Sequence, residues 1–319
     1  MSTEGGSKAI IAAFGANLGI AITKLIAWVF SGASSMLAEA VHSFADSGNQ
    51  LLLLLGQRKA KKRADREHPF GYGRERYVYA FVVAIVLFSV GGMFSIYEGI
   101  EKLTHPHPIE TWWLPILVLT IAIILESFSL RTAVVESNKV RGTESWVQFI
   151  RRAKSPELPV VLLEDIAALL GLIFALIGIG MSVITGDGIW DGIGTVMIGV
   201  LLIVVAIVLA IETKSLLVGE GANDEDAVKL AEAVNSEESV ARLIHMKTLY
   251  LGPEELLVAA KVGFKRNITL TQASLAIDSI EAHMRAVIPY QLIVYIEPDV
   301  YHREIDTLNT EAIVIRGED

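Results

Sequence analysis

The chain has 319 residues, 52% of them hydrophobic, and a mean hydropathy of +0.50, which sets it apart from ordinary soluble domains and makes a membrane protein the first class to test. It contains no cysteine, so a disulfide framework and a thiolate metal site are both excluded. The formal net charge of −9 leaves no broad basic surface for nucleic acid.

The N-terminal MSTEGGSK is short and polar, and no small-residue cleavage site follows the first apolar run. A retained first helix is therefore expected rather than a removable signal peptide. Roughly twenty apolar residues cross a bilayer core. Such stretches lie at about 8–30, 36–56, 77–100, 112–135, 158–184 and 190–212. Several carry Gly, Ser, Asn or acids, a pattern that suits helices facing one another.

Basic residues collect on alternate loops. QRKAKKRADREH and GYGRER separate the second and third stretches, and Lys139, Arg141, Arg151, Arg152 and Lys154 separate the fourth and fifth. SGASS, HPHPIE and TGDGI, on the other loops, have neither Lys nor Arg. The positive-inside rule then predicts both termini on the cytoplasmic side.

Beyond the last stretch the composition becomes that of a soluble domain, so the chain divides into a six-span transmembrane domain over 1–213 and a cytoplasmic α+β domain over 214–319. In the second domain a helix is expected from Asn223-Asp224 and strands at RLIHMKTLYL and LLVAAKVGF. A further helix over 271–287 and a closing strand, QLIVYIEP, follow. A half-covered sheet with open edges invites pairing with a second copy. The polar, partly acidic residues after Pro298 are left unassigned.

Ionisable residues inside a span are costly, at about 2.5–3.5 kcal/mol each on insertion scales, so each is a functional candidate. In MLAEAVHSFADSGNQLLLLLG, His42 and Asp46 are four residues apart and share one helix face, with Ser43, Ser47, Asn49 and Gln50 nearby. Imidazole and carboxylate both suit a divalent metal ion, and both bind protons, so metal and H⁺ compete for the same lone pairs. In ELPVVLLEDIAALLG, Glu164 and Asp165 point about 100° apart, so one of them meets the second span squarely. Asp165 is the choice as ligand, with Glu164 as auxiliary ligand, proton relay, or a group facing a cytosolic water cavity. Lys24, Glu39 and Glu126 either pair with one another or snorkel to an interface, and Asn17 is read with them. No G-x-x-x-x-G-K-[ST] loop occurs, so an ion gradient is the expected driving force. No HExxH motif occurs either, and no enzyme is expected.

AEAVHSFADSGNQ, HPFGYGRERY, YEGIEKLTHP, WDGIGTVMIGVLL and YIEPD, taken in order, resemble the cation diffusion facilitators, a family of proton-coupled zinc and manganese exporters. SWVQFIRRAKSPELPVVLLEDIAALLG resembles the branch containing zinc transporter nine. The resemblance implies an all-α six-helix transmembrane domain followed by a ferredoxin-like, metallochaperone-like domain. It further implies a homodimer without a permanently bound cofactor, exporting Zn²⁺ from the cytosol against H⁺ by alternating access.

It also implies four ligands, two per helix, four residues apart: His42 and Asp46 match the first pair and Asp165 half of the second. Val161 stands at the remaining position, so either Glu164 or water completes the sphere, or selectivity differs toward Mn²⁺, Fe²⁺ or Co²⁺. Asp65 and His68 match a secondary metal site in which Tyr72 replaces a histidine. His245 and Glu297 match a cytoplasmic-domain site in which Tyr295 replaces another. A bacterial plasma membrane is the expected location. The competing readings are a proton-coupled carrier of a non-metal substrate and a non-transporting metal sensor or scaffold.

Overall fold

The computed structural model describes residues 3–109 and 111–300, with side chains from Asn17 onward; of the unassigned tail after Pro298, residues 301–319 lie outside the described residues. The chain forms two compact units, Met1–Arg58 with Arg76–Lys214, and Lys59–Glu75 with Ser215–Asp319.

The first unit is helical. It comprises α1 (Thr3–Ser31), α2 (Ser34–Ala60), α3 (Glu75–Val86) running through a π-helical segment (Leu87–Met93) into α4 (Phe94–Thr104), α5 (Trp113–Arg141), the short α6 (Trp146–Arg152), α7 (Glu157–Thr185) and α8 (Ile189–Val218). Among the described residues four helical stretches are long and apolar enough to cross a membrane: Glu75–Thr104, Trp113–Arg141, Glu157–Thr185 and Ile189–Val218. α2 matches them in length, but Glu39, His42, Asp46 and its serines dilute its hydropathy. Leu117, Ile121, Ile124 and Phe128 leave α5 with an exposed apolar flank, while Leu87, Leu119, Leu172, Ile198 and Leu202 are buried in the core. A surface of exposed leucine, isoleucine and phenylalanine is stable against hydrocarbon and costly against water.

Glycine brings three of these helices close. A Cβ added at Gly99 on α4 would lie 2.8 Å from the Val196 nitrogen on α8, and one added at Gly194 on α8 would lie 2.9 Å from the Phe174 carbonyl oxygen on α7. Small residues allow such backbone approach, and dispersion across it supplies the attraction that hydrophobicity cannot supply between helices in lipid. Helix ends are tied down as well. Asp191 of α8 accepts hydrogen bonds from the Ser34 amide at 2.7 Å, the Ser35 amide at 3.3 Å and the Ser35 hydroxyl, and so caps α2 from another helix. Arg76 of α3 forks onto both carboxylate oxygens of Glu157 at 2.5 and 2.9 Å.

The second unit contains α9 (Asp224–Asn235), β1 (Val240–Gly252), β2 (Glu255–Phe264), α10 (Leu270–Val287) and β3 (Gln291–Val300). The strand order is β1-β2-β3, with β1 antiparallel and β3 parallel to β2. The parallel pair requires a crossover, which α10 supplies. Thr269 and Gln272 close a reciprocal capping box at its start. Leu243, Met246, Leu256, Val258 and Val262 from the sheet pack against Leu230, Ile280 and Met284 from the helices. The loop 59–75 joins this unit through Gly73, where a Cβ would lie 2.7 Å from the Leu251 carbonyl oxygen and only glycine fits.

Candidate functional site

α2 carries the polar centre of the first unit. His42 is 1% exposed, and its Nδ1 lies 3.4 Å from Asp46 Oδ1, beyond a well-formed hydrogen bond. Among the described residues neither ring nitrogen of His42 has a hydrogen-bond partner. Asp46 Oδ1, Asn49 Oδ1 and Glu39 Oε1 are unpartnered in the same way. Buried polar atoms are satisfied in more than about 90% of cases, so such atoms along one helix suit a cationic or aqueous guest. The π-helical segment faces this point: a Cβ at Gly91 would lie 3.9 Å from His42 Nδ1, so glycine leaves the imidazole open on that side.

On α7 the adjacent acids diverge. Glu164 turns to α2, where its Oε1 accepts from Asn49 Nδ2 at 2.7 Å, whereas Asp165 accepts from Ser129 of α5 at 3.0 Å. Asp165 is the acid expected to meet the second span, but the hydrogen bond to α2 belongs to Glu164. Val161 packs into the apolar clusters instead of offering a lone pair. Among the described residues no three His, Asp or Glu side chains stand close enough to hold one metal ion as the helices are arranged.

Lys24 and Glu39 form the internal pair that their sequence positions allowed. Both are fully buried, with Lys24 Nζ 2.9 Å from Glu39 Oε2 and 2.8 Å from Ser43 Oγ. Glu126 does not join them; it lines a small polar cavity with Asn17, Ser43 and Asp46. Two features were not singled out from the sequence, the Asn49–Glu164 bond and the Asp191 cap. An acid in the first turn of an otherwise apolar helix is the signal that would have marked Asp191.

In the loop of the second unit, Asp65 is occupied by protein donors: Tyr72 Oη at 2.8 Å, Lys62 Nζ at 3.1 Å, and the amides of Glu67 and His68 at 3.1 and 2.8 Å. The Tyr72 hydroxyl, the His68 amide and the Lys62 ammonium hold its carboxyl well below the usual carboxylate range. His68 Nδ1 lies 3.7 Å from the same carboxylate. On the sheet, His245, Lys261 and Glu297 form one cross-strand row. Lys261 stands between the other two and binds Glu297 at 2.9 Å, so a cation already fills the middle position.

Membrane-length apolar helices around a buried histidine and several acids, with a small α+β unit appended, define an integral membrane protein with ionisable groups in its interior. Residues 10–218 match the model of the cation efflux transmembrane domain, and the chain belongs to that family, one of transporters rather than enzymes. It is 32% identical over 267 residues to the proton-coupled zinc antiporter SLC30A9, mitochondrial, of Xenopus laevis, covering 83% of this chain and 48% of that protein. It is 29% identical over 266 residues to metal tolerance protein C4 of Arabidopsis thaliana, covering 83% and 58%. It is also 24% identical over 281 residues to the cation-efflux pump FieF of Klebsiella pneumoniae, covering 86% of each. The chain spans about half the length of the SLC30A9 relatives it matches.

Proposed function

We propose that the protein is a proton-coupled antiporter that exports a divalent metal ion, Zn²⁺ first and Mn²⁺, Fe²⁺ or Co²⁺ after it, from the cytosol. The observation that carries this reading is the buried His42, both of whose ring nitrogens lack a hydrogen-bond partner among the described residues, one turn from an Asp46 oxygen that lacks one likewise. A neutral imidazole and a carboxylate inside a membrane domain are a metal-binding pair, and protonating either one releases the ion. The names of the SLC30A9 relatives support zinc and proton coupling; the oxygen-rich surroundings and Val161 support a broader choice of metal.

In this reading α1 and α2 cross the membrane with the four longer apolar stretches, giving six spans with both termini cytoplasmic. Two copies work as a homodimer in a bacterial plasma membrane, and the 214–319 domain serves dimerisation. His42 and Asp46 are ligands and proton acceptors, Asp165 is a ligand, and Glu164 is an auxiliary ligand or proton relay. Asp165 reaches the ion when α5 and α7 move relative to α2, the rearrangement that alternating access requires. Asp65 and His68, and His245 and Glu297, are not assigned as working metal sites, since protein donors occupy Asp65 and Glu297.

Reconstitution into proteoliposomes tests this function. Metal-dependent proton movement with Zn²⁺, Mn²⁺, Co²⁺, Fe²⁺ or Cd²⁺ is expected. Proton movement indifferent to metal would replace the proposal with a carrier of another substrate, and metal binding without flux would replace it with a sensor or scaffold.

A further inference from the structure

Helix geometry sets a limit on how many of α2's open lone pairs one ion can use. Asn49 lies three residues beyond Asp46 and seven beyond His42, which keeps all three on neighbouring lines of one helix face. At a rise of about 1.5 Å per residue, His42 and Asn49 are separated by roughly 10 Å along the axis. Metal–nitrogen and metal–oxygen bonds are about 2.0–2.2 Å long. An ion bound to the His42 ring is therefore out of reach of the Asn49 carbonyl, whereas Asp46 lies between the two and can serve either.

Asn49 is 0% exposed and Glu164 6%. The Asn49 Nδ2 donates to Glu164 Oε1 at 2.7 Å, and this bond fixes the amide plane. Its Oδ1, so held, has no partner among the described residues. Asn49 and Glu164 thus present an amide oxygen and a carboxylate from two helices, one turn along α2 from an Asp46 oxygen that is also unpartnered.

We propose that Asp46, Asn49 and Glu164 form a second cation station, built of oxygen donors alone and lying on the Ala60 side of the His42–Asp46 pair. Resting on the antiporter reading, this side is the cytosolic one, and the station receives a partly hydrated divalent ion before the imidazole takes it. An all-oxygen set without imidazole suits Mn²⁺ and other oxygen-preferring ions better than it suits Zn²⁺, whereas His42 suits Zn²⁺. Asp46 is shared, so an ion passes between stations by exchanging Asn49 and Glu164 for His42.

Calorimetric titration of the purified full chain with Zn²⁺ and Mn²⁺ separately tests the proposal. Asn49→Leu is expected to lower Mn²⁺ affinity about tenfold, the lower end of what altered metal surroundings cost, with a smaller change for Zn²⁺. His42→Ala is expected to do the reverse. Asn49→Asp keeps an oxygen and is expected to hold or raise Mn²⁺ affinity. If Asn49→Leu is not recovered folded, Asn49→Ala, which is smaller and carries no side-chain oxygen, is expected to show the same selective loss. Equal losses for both metals, no loss in Asn49→Leu, or an Asn49→Asp as weak as Asn49→Leu would overturn the second station and leave the His42 site standing. Full binding of both metals by Asp46→Ala would remove the antiporter reading itself.

Discussion

Along α2 Asp46 stands between the His42 imidazole and the Asn49 amide, and the proposed path uses it at both stations. Replacing it by alanine is expected to abolish metal-driven proton flux in vesicles, and Asp165→Ala likewise, with both variants remaining folded. Normal flux in both would withdraw the site assignment. Val161→His places an imidazole one turn before Asp165 and is expected to tighten zinc binding in calorimetry; unchanged affinity would mean that position 161 stays among the apolar residues it packs against. Lys24 behaves differently. Removing one partner of a buried ion pair leaves an uncompensated charge, so Lys24→Met is expected to cost about 3–5 kcal/mol in thermal unfolding in detergent. The double variant Lys24→Met with Glu39→Leu is expected to recover most of that loss. These buried groups were legible as residue types, because a histidine, a lysine and acids stand out in apolar stretches. The partners of the two acids on α7 were not: neighbouring acids at 164 and 165 look alike in a string, and only helix rotation sends one toward Asn49 and the other toward Ser129.

At the level of elements, α8 is the spine against which α4 and α7 lie, and glycine makes both contacts possible. Gly99→Ala is expected to force α4 and α8 apart at a cost of about 1–3 kcal/mol, the usual penalty of overpacking, read as a lowered melting temperature in detergent. The same substitution at Gly180 on α7, which has nothing within 4 Å, is the matched control and is expected to be neutral. Element identity was readable from hydropathy and periodicity: the three strands, α9 and α10 lie where alternation and helical spacing put them, while the Asn223 and Thr269 caps emerge only in the structure. The π-helical segment was not readable, because apolar periodicity does not separate one widened turn from an α-helix.

Across the whole molecule, metal and protons compete for the same nitrogen and oxygen atoms, so apparent metal affinity is expected to fall as pH falls. Titrations at about pH 6 and about pH 7.5 check this; an affinity independent of pH would separate the metal from the titrating side chains. Asp65 supplies a contrast outside the helices. Its carboxyl is depressed in the fold, so the stability it adds is complete above its unfolded value of about 3.9 and is lost as pH falls below that. The loop it organises is therefore expected to hold its form throughout the range in which metal binding weakens.

The amino-acid sequence by itself determined the class, the division in composition near residue 214 and the His42–Asp46 pair. Each of these is a local matter of hydropathy, β-branched alternation or helical spacing. Tertiary structure decided which lone pairs are left open and which are consumed. Lys24 against Glu39, Asp191 against the start of α2, Asn49 against Glu164 and Lys261 against Glu297 are meetings between distant parts of the chain. A donor's availability depends on what packs against it, and that is a property of helix rotation and strand register that no single segment contains.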